Sequence, residues 1–499
     1  MKVKIYSGFA AVCIFLMVAS CSKKEKQKLY NEVESEKSCL AEPSWFPHSQ
    51  TTNPKEGKDS PFANGKTVTN LDFYKWSWQK FLWLTKPVQV SRTLNIMDDG
   101  KLKPLTILDT LPLFLVEDKI IAIDDAMREI KTRGGANVHL IYNEQACSNQ
   151  VLQSNPDYGL EKTSYEVLYS LHTSPIMQQA AKDFIYQMET GVLDSVVNYK
   201  GFPVGSLELK VSWIDIAALP DGEVANYFVT KAAISRDGGK TFKVRDAAML
   251  GMHVVGVVEN HPEFVWATFQ KKDMTVAYDF PNNKATASEE KLLFKKGSTS
   301  GIEGILFPNN GKTPTPYEAY ELFEYGVPVN KDGSFMVTSQ SEPNNLNNIK
   351  DINTCVSNNL KDVFKNYYCN GAVWLNTEDY KTAEEQGRMI VSLGNHIGSA
   401  EPKGKGELGL LRGSTNCANA TMETFTQTFQ SSLDSVNVST LANCFSCHTA
   451  PSFKNYSIQS PLYVSHIFDA AVQRSNGSSD KEIELMKNKQ VLMHFIEHN

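Results

Sequence analysis

The chain of 499 residues has no second C-x-x-C pair, no surplus of positive charge and no apolar run long enough to cross a bilayer, which takes roughly 20 residues. Lysine and arginine total 50 against 56 acidic residues, a net charge of −6, so a broad basic surface for nucleic acid is excluded. A nucleophile elbow, a glycine-rich phosphate loop, paired carboxylates and a histidine-rich metal cluster are also missing. Hydrolase and nucleotide readings therefore have no residues to rest on. The glycines of "GNHIGSAEPKGKGELG" around His396 follow no strand pattern and read as an irregular connection. No internal repeat is visible. An apolar fraction of 41% supports packed cores in about two or three domains.

The N-terminus carries Lys2 and Lys4 ahead of an apolar run from Gly8 to Val18, the anatomy of an export signal. Met17-Val-Ala-Ser-Cys21 resembles the bacterial lipobox, in which the signal is cut before the cysteine and that cysteine receives lipid. The alternative is a secretory signal cleaved elsewhere. Residues 1–20 are thus expected to be a lipoprotein signal peptide, with Cys21 the lipidated first residue of a protein anchored to a bacterial envelope membrane and facing the periplasm or cell surface. Residues 21–63 are rich in Lys, Glu, Ser, Asn and Pro without an apolar period, and read as a flexible tether.

The fold class expected is α+β: a mostly antiparallel, β-rich large domain with flanking helices over residues 64–371, then a small, mainly α domain over 372–499. "LDFYKWSWQKFLWLTKP" puts Phe73, Trp76, Phe81 and Trp83 in a helix ended before Pro87, its aromatic stripe serving core packing. A short helix is expected around 122–132, and a longer one in "SYEVLYSLHTSPIMQQAAKDFIYQMETG", closing at Gly191. "GSLELKVSWIDIA" alternates as a half-buried strand, and "NYFVTKAAISRDGGKTFKVRDAAMLGMHVVGVV" reads as strand, turn at Asp237-Gly-Gly-Lys240, and strand. "EFVWATFQ" adds another strand, and residues 282–354 read as long loops or a domain junction. The C-terminal region becomes helical around Met422 to Leu433 and ends in a helix lined by Ile483, Met486, Val491, Met493 and Phe495.

Within that region lies "NCFSCHTA", a C-x-x-C-H motif formed by Cys444, Cys447 and His448. Residues three and four apart share one helix face, so two cysteines can form thioethers with the porphyrin vinyl groups while the adjacent imidazole binds iron. This predicts one covalent haem c, with His448 as proximal ligand. An export signal in the same chain supports it independently, because haem is attached outside the bacterial cytoplasm. A zinc site would want a second pair of ligands near the first, and only Cys417 is nearby; a redox disulfide leaves the histidine without a reason. Cys39, Cys147, Cys355, Cys369 and Cys417 complete the mature cysteines, with Cys355 and Cys369 the closest couple in sequence and pairing left open. Met422 and His466 are the candidate distal ligands, with Met486 and Met493 as further possibilities, and His253 in "GMHVV" is the residue to examine for a substrate role.

The stretches "WQKFLWLTKP", "GSLELKVSW", "LGMHVV" with "FVWATF", and "ANATMETF" ahead of C-x-x-C-H resemble bacterial cytochrome c family proteins over most of the chain after Phe73. The resemblance implies an exported protein with one haem c at its C-terminal end and no known substrate. It puts Met422 ahead of His466, because "TMET" belongs to the shared pattern. Where the family has an acidic residue and a histidine after "WATF", this chain has Gln270, Lys271 and Lys272, so any role of that histidine is absent. The function expected is electron transfer at the envelope with an unidentified redox partner. The alternatives are a haem-dependent oxidoreductase whose large domain binds substrate, and a ligand-binding surface lipoprotein with ancillary haem.

Overall fold

The computed structural model describes residues 39–64, 67–131, 135–141, 152–159, 161–193, 199–235, 241–274, 289–293, 345–377, 379–394, 411–414, 419–422, 444–450, 459–483 and 485. The lipobox, the Asp237-Gly-Gly-Lys240 turn, His396, the helix expected over 423–433 and most of the terminal helix lie outside them.

The first helix, α1 (Asn70–Thr85), begins at a capping box in which Thr69 and Asp72 hold each other's backbone, and it stops short of Pro87. Its aromatic residues are core, as its composition requires. Phe73 stacks on Trp374 at 3.8 Å and Phe81 on Phe269 at 4.2 Å. These partners belong to a large sheet built from β3 (Ile121–Ile123), β4 (Val138–Ile141), β5 (Leu168–Thr173), β6 (Leu207–Asp215), β7 (Val229–Ser235), β8 (Lys243–Val258), β9 (His261–Lys271), β10 (Tyr367–Leu375) and β11 (Leu411–Gly413). The order is β11-β10-β9-β8-β6-β5-β4-β7, with β3 on β5, and β7 returns to pair with β8. The last pairing closes β8, β6, β5, β4 and β7 into a ring. Every described pair is antiparallel except β4 with β7. A separate ribbon joins β1 (Pro87–Asp98) to β2 (Lys101–Pro112). The expected α+β class with a mostly antiparallel sheet therefore holds.

The central strands are buried on both faces rather than half-buried. All of β9 is buried, and β6 is nearly so. On one face α1 packs so closely that a Cβ on Gly256 would lie 2.7 Å from the Trp76 ring. On the other, Val255, Trp266 and Val373 line up across three strands and meet α2 (Pro175–Glu189), α4 (Ala383–Leu393) and α6 (His466–Ser475) in one apolar cluster. The remaining helices are α3 (Asn345–Asn359) and the single turn α5 (Cys444–Cys447).

Several expectations are corrected here. Residues 41–63, expected as part of the tether, pack onto the fold through isolated side chains that have no period. Trp45 and Phe62 are buried, and Glu56 forms a buried ion pair with Lys80 at 2.7 Å while accepting from Trp76 Nε1 at 2.9 Å. No helix forms over the described residues 122–131. Asp124 instead caps the backbone N–H groups of Ala126 and Arg128 in a turn, with Met127 left-handed at φ 58°. The long helix expected from Ser164 is a strand followed by a helix, divided at Ser174, whose hydroxyl caps Met177. Part of the expected loop region is α3. The division expected between 371 and 372 falls inside β10, and contacts join residues 41–499 in one unit. Cys355 and Cys369 are not a pair: Cys39 and Cys355 are each disulfide-bonded, and Cys369 is a buried thiol whose pKa burial pushes up to about 12.

His172 on β5 gives a test of this burial. Its Nε2 sits 2.9 Å from Ser170 Oγ, and desolvation pushes its pKa down to about 3. The unfolded chain would titrate near ~6.5 and so binds more protons than the folded one below that pH. Stability should fall as pH drops from about 6.5 toward about 3, by up to roughly 1.4 kcal/mol per pH unit from this residue. In urea unfolding across that range, His172→Gln should flatten the profile by that slope; an unchanged slope would contradict the assignment.

Candidate functional site: the Cys444–His448 turn

The motif is held by a short stretch of chain that returns to it. Cys444–Cys447 form one helical turn, and His448 N–H donates to Cys444 O at 2.9 Å, keeping His448 on the same turn. Pro461–Val464 then make a 3-10 turn whose proline fixes the first residue, and Ser465 starts α6 by accepting from Phe468 N–H at 3.2 Å. That geometry turns the Val464 carbonyl onto His448 Nδ1, 3.0 Å away. A carbonyl can only accept, so Nδ1 carries the proton and Nε2 is left as the lone-pair nitrogen.

Two rings confine this imidazole. Trp266 of β9 lies 4.1 Å from it between centroids, and His466, the first residue of α6, stacks on it at 3.9 Å with planes 21° apart. Burial, the nearby His466 and His253, and the Lys210 ammonium hold the His448 pKa well below the usual imidazole range, while the bond to Val464 opposes them. The ring is thus neutral. Phe445 is buried beside Trp266, and Cys444 packs against the same apolar cluster. Ser465 also donates to Glu208 Oε2 of β6 at 2.6 Å, tying the returning stretch to the central sheet.

The structure brings together Cys444, His448, His466 and, from β8, His253, which lies opposite Lys210 of β6 and Thr268 of β9. The backbone of Cys447 completes the helical turn. Met422 is elsewhere. It is buried in a second apolar cluster with Ile214, Leu250 and Met274. The strap before it is fixed to the sheet: Asn419 donates to Phe269 O at 2.8 Å, Ala420 N–H to Gln270 Oε1 at 3.1 Å, and Thr421 Oγ1 lies 2.6 Å from Ser212 Oγ. Gly251 leaves room for it, since a Cβ there would come within 2.8 Å of Asn419 Nδ2. Gln270, noted in the sequence as a departure, is one of the strap's holders.

These residues fit a haem c on its proximal side. A metal-binding histidine ordinarily donates its other N–H to a carbonyl or carboxylate, which fixes tautomer and orientation, and His448 does so. The distal side differs from expectation. His466, one of the two distal candidates, lies against the face of the His448 ring. Among the described residues no three His, Cys, Asp or Glu side chains converge to hold a bare metal ion. No family model matches the chain, and neither curated proteins nor solved structures match it.

Val464, Ser465, Glu208 and Trp266 were not singled out from the sequence. Ser465 ahead of an apolar helix is a capping signal that could have been read. Trp266 gave none, because a strand buried on both faces shows no alternation. Ser465→Ala removes a helix cap and one donor from a buried carboxylate, and should cost about 1–3 kcal/mol in denaturant unfolding; a change under about 0.5 kcal/mol would mean the tie is not formed.

Proposed function

We propose that this chain is an exported monohaem c-type cytochrome lipoprotein that transfers electrons at the bacterial cell envelope, its haem held by Cys444, Cys447 and His448 in the C-terminal region. The observation that carries this reading is the bond from His448 Nδ1 to the Val464 carbonyl, which presets Nε2 as a metal-facing nitrogen one residue after the C-x-x-C turn. When bound, haem c would supply a one-electron iron couple. The chain's part is to orient His448 between carbonyl and rings, to exclude water with Trp266 and Phe445, and to keep the imidazole neutral for coordination.

Of the two distal candidates, His466 is favoured. It lies beside the motif and would have to leave its stack on His448 to take that role, whereas Met422 is packed in a different core. Cys21 would carry lipid and hold the protein at a membrane; among the described residues no helix is long and apolar enough to cross one. The enzyme alternative draws on His253, which the fold sets close to His448.

The test is to export the protein in cells that mature cytochromes. Mass spectrometry should find one haem on the mature chain, and the reduced protein should show low-spin haem c bands. Changing both Cys444 and Cys447 to Ala should abolish covalent haem. His466→Ala should convert the spectrum to high spin. Met422→Ala should leave the bands in place and instead cost about 2–5 kcal/mol of stability. Both motif thiols free, bridged or bound to zinc would end the proposal, and a high-spin wild type that binds carbon monoxide or peroxide would favour the oxidoreductase.

A further inference from the structure

The β1–β2 ribbon pairs with no other described strand. At about 3.3 Å per residue its strands reach about 40 Å. A lone two-stranded ribbon is marginal in water, and this one exposes Met97, Leu102 and Leu108 by 70%, 69% and 76%. Its two edges are not equivalent. The register sets Pro104 opposite Asn95 and Pro112 opposite Pro87. Proline has no N–H to give a partner strand, so these are the non-hydrogen-bonded pairs, whose backbone groups point away from the partner. The alternation then turns outward the N–H and C=O groups of Gln89, Ser91, Thr93, Asn95 and Met97 on β1, all of which can donate. On β2 the outward edge is broken by Pro104, a usual guard against strand addition. From Gln89 to Met97 the outward edge of β1 has no proline, since Pro87 lies at its very start.

We propose that the β1 edge docks a second copy of this chain, the two β1 strands pairing antiparallel about a two-fold axis at Thr93 to make a four-stranded sheet. Outward-facing positions must meet outward-facing positions, and an axis at Thr93 pairs Ser91 with Asn95 and Gln89 with Met97 along the whole edge. None of these residues is charged. Between them Arg92 falls opposite Leu94 and Asp98 opposite Val88, so no like charges meet across the strands. A two-fold contact presents each residue to its own symmetry mate, and an edge free of charge is the edge that tolerates this. A membrane is the poorer occupant, because Asp98 and Asp99 at the tip are balanced by Lys101 and Lys103, the latter bridging Asp98 at 2.6 Å, which leaves no net positive charge to draw an anionic surface. An interface of this length belongs with weak contacts, below roughly 1,200 Å² in total, so association rises with concentration.

Sedimentation velocity of the purified full chain, from low to high micromolar, should show mass moving from one chain toward two. Thr93→Pro removes only an outward donor and leaves the ribbon's own ladder intact, so it should weaken association by at least about tenfold. Thr93→Lys keeps the backbone donors, sets two positive charges together at the axis and should do the same; it decides the matter if circular dichroism shows the proline variant unfolded. Leu108→Pro, on the guarded strand, should associate like the wild type. The proposal is overturned by a wild type that stays monomeric throughout, by Thr93 variants that associate unchanged, by a Leu108→Pro variant that alone loses association, or by a monomer that binds anionic lipid vesicles through the ribbon instead.

Discussion

A strand buried along its whole length must be covered twice, and β9 sets that requirement for this protein. Its eleven residues give alternate side chains to two faces, neither of which reaches water. The aromatic helix α1 covers one face through Phe73, Trp76, Trp78 and Phe81. The second face has to be covered by chain from elsewhere, and much of that chain comes from beyond residue 380. The Cys444–His448 turn, Pro461–Val464 and α6 are thus part of the lid over Trp266 and Val373 rather than an appendage with a separate core.

This explains what could be read in the sequence and what could not. Helix α1 was legible because a stop at Pro87 and a polar start at Thr69 bracket its aromatics. Strands β6, β8 and β9 were legible as strands from their β-branched and aromatic content, though not as doubly covered ones. β5 was lost into the helix after it, because a short apolar run such as "LYSLHT" has the same composition in either state and only Ser174 marks the division. The packing of 41–63 was invisible for another reason. Trp45, His48 and Phe62 are anchors separated by polar residues, and a segment held by single side chains has no period to detect.

At the site the legible part was covalent and the missing part was positional. Cys444, Cys447 and His448 announce themselves by spacing, but which nitrogen of His448 is protonated depends on a carbonyl 16 residues away. The preference for Met422 over His466 came from local similarity. Only the sheet shows that the strap at Asn419–Met422 docks at Gly251 and Gln270, in a different core from the motif. Polar residues do much of this placing: Glu208 holds Ser465 beside the motif, while Ser212, Gln270 and Thr268 hold Thr421, Ala420 and Asn419 of the strap, each through an uncharged donor.

The buried Cys369 has a bearing on how the chain matures. Disulfide exchange runs through thiolates, and a sulfur shut inside β10 with its ionisation pushed to about 12 takes no part in it once the sheet has formed. Before that, under oxidising conditions, it would compete on equal terms with the cysteines that must find other partners. Correct oxidation of Cys39 and Cys355 is therefore favoured by early docking of one strand, which withdraws a competing thiol before it can mispair.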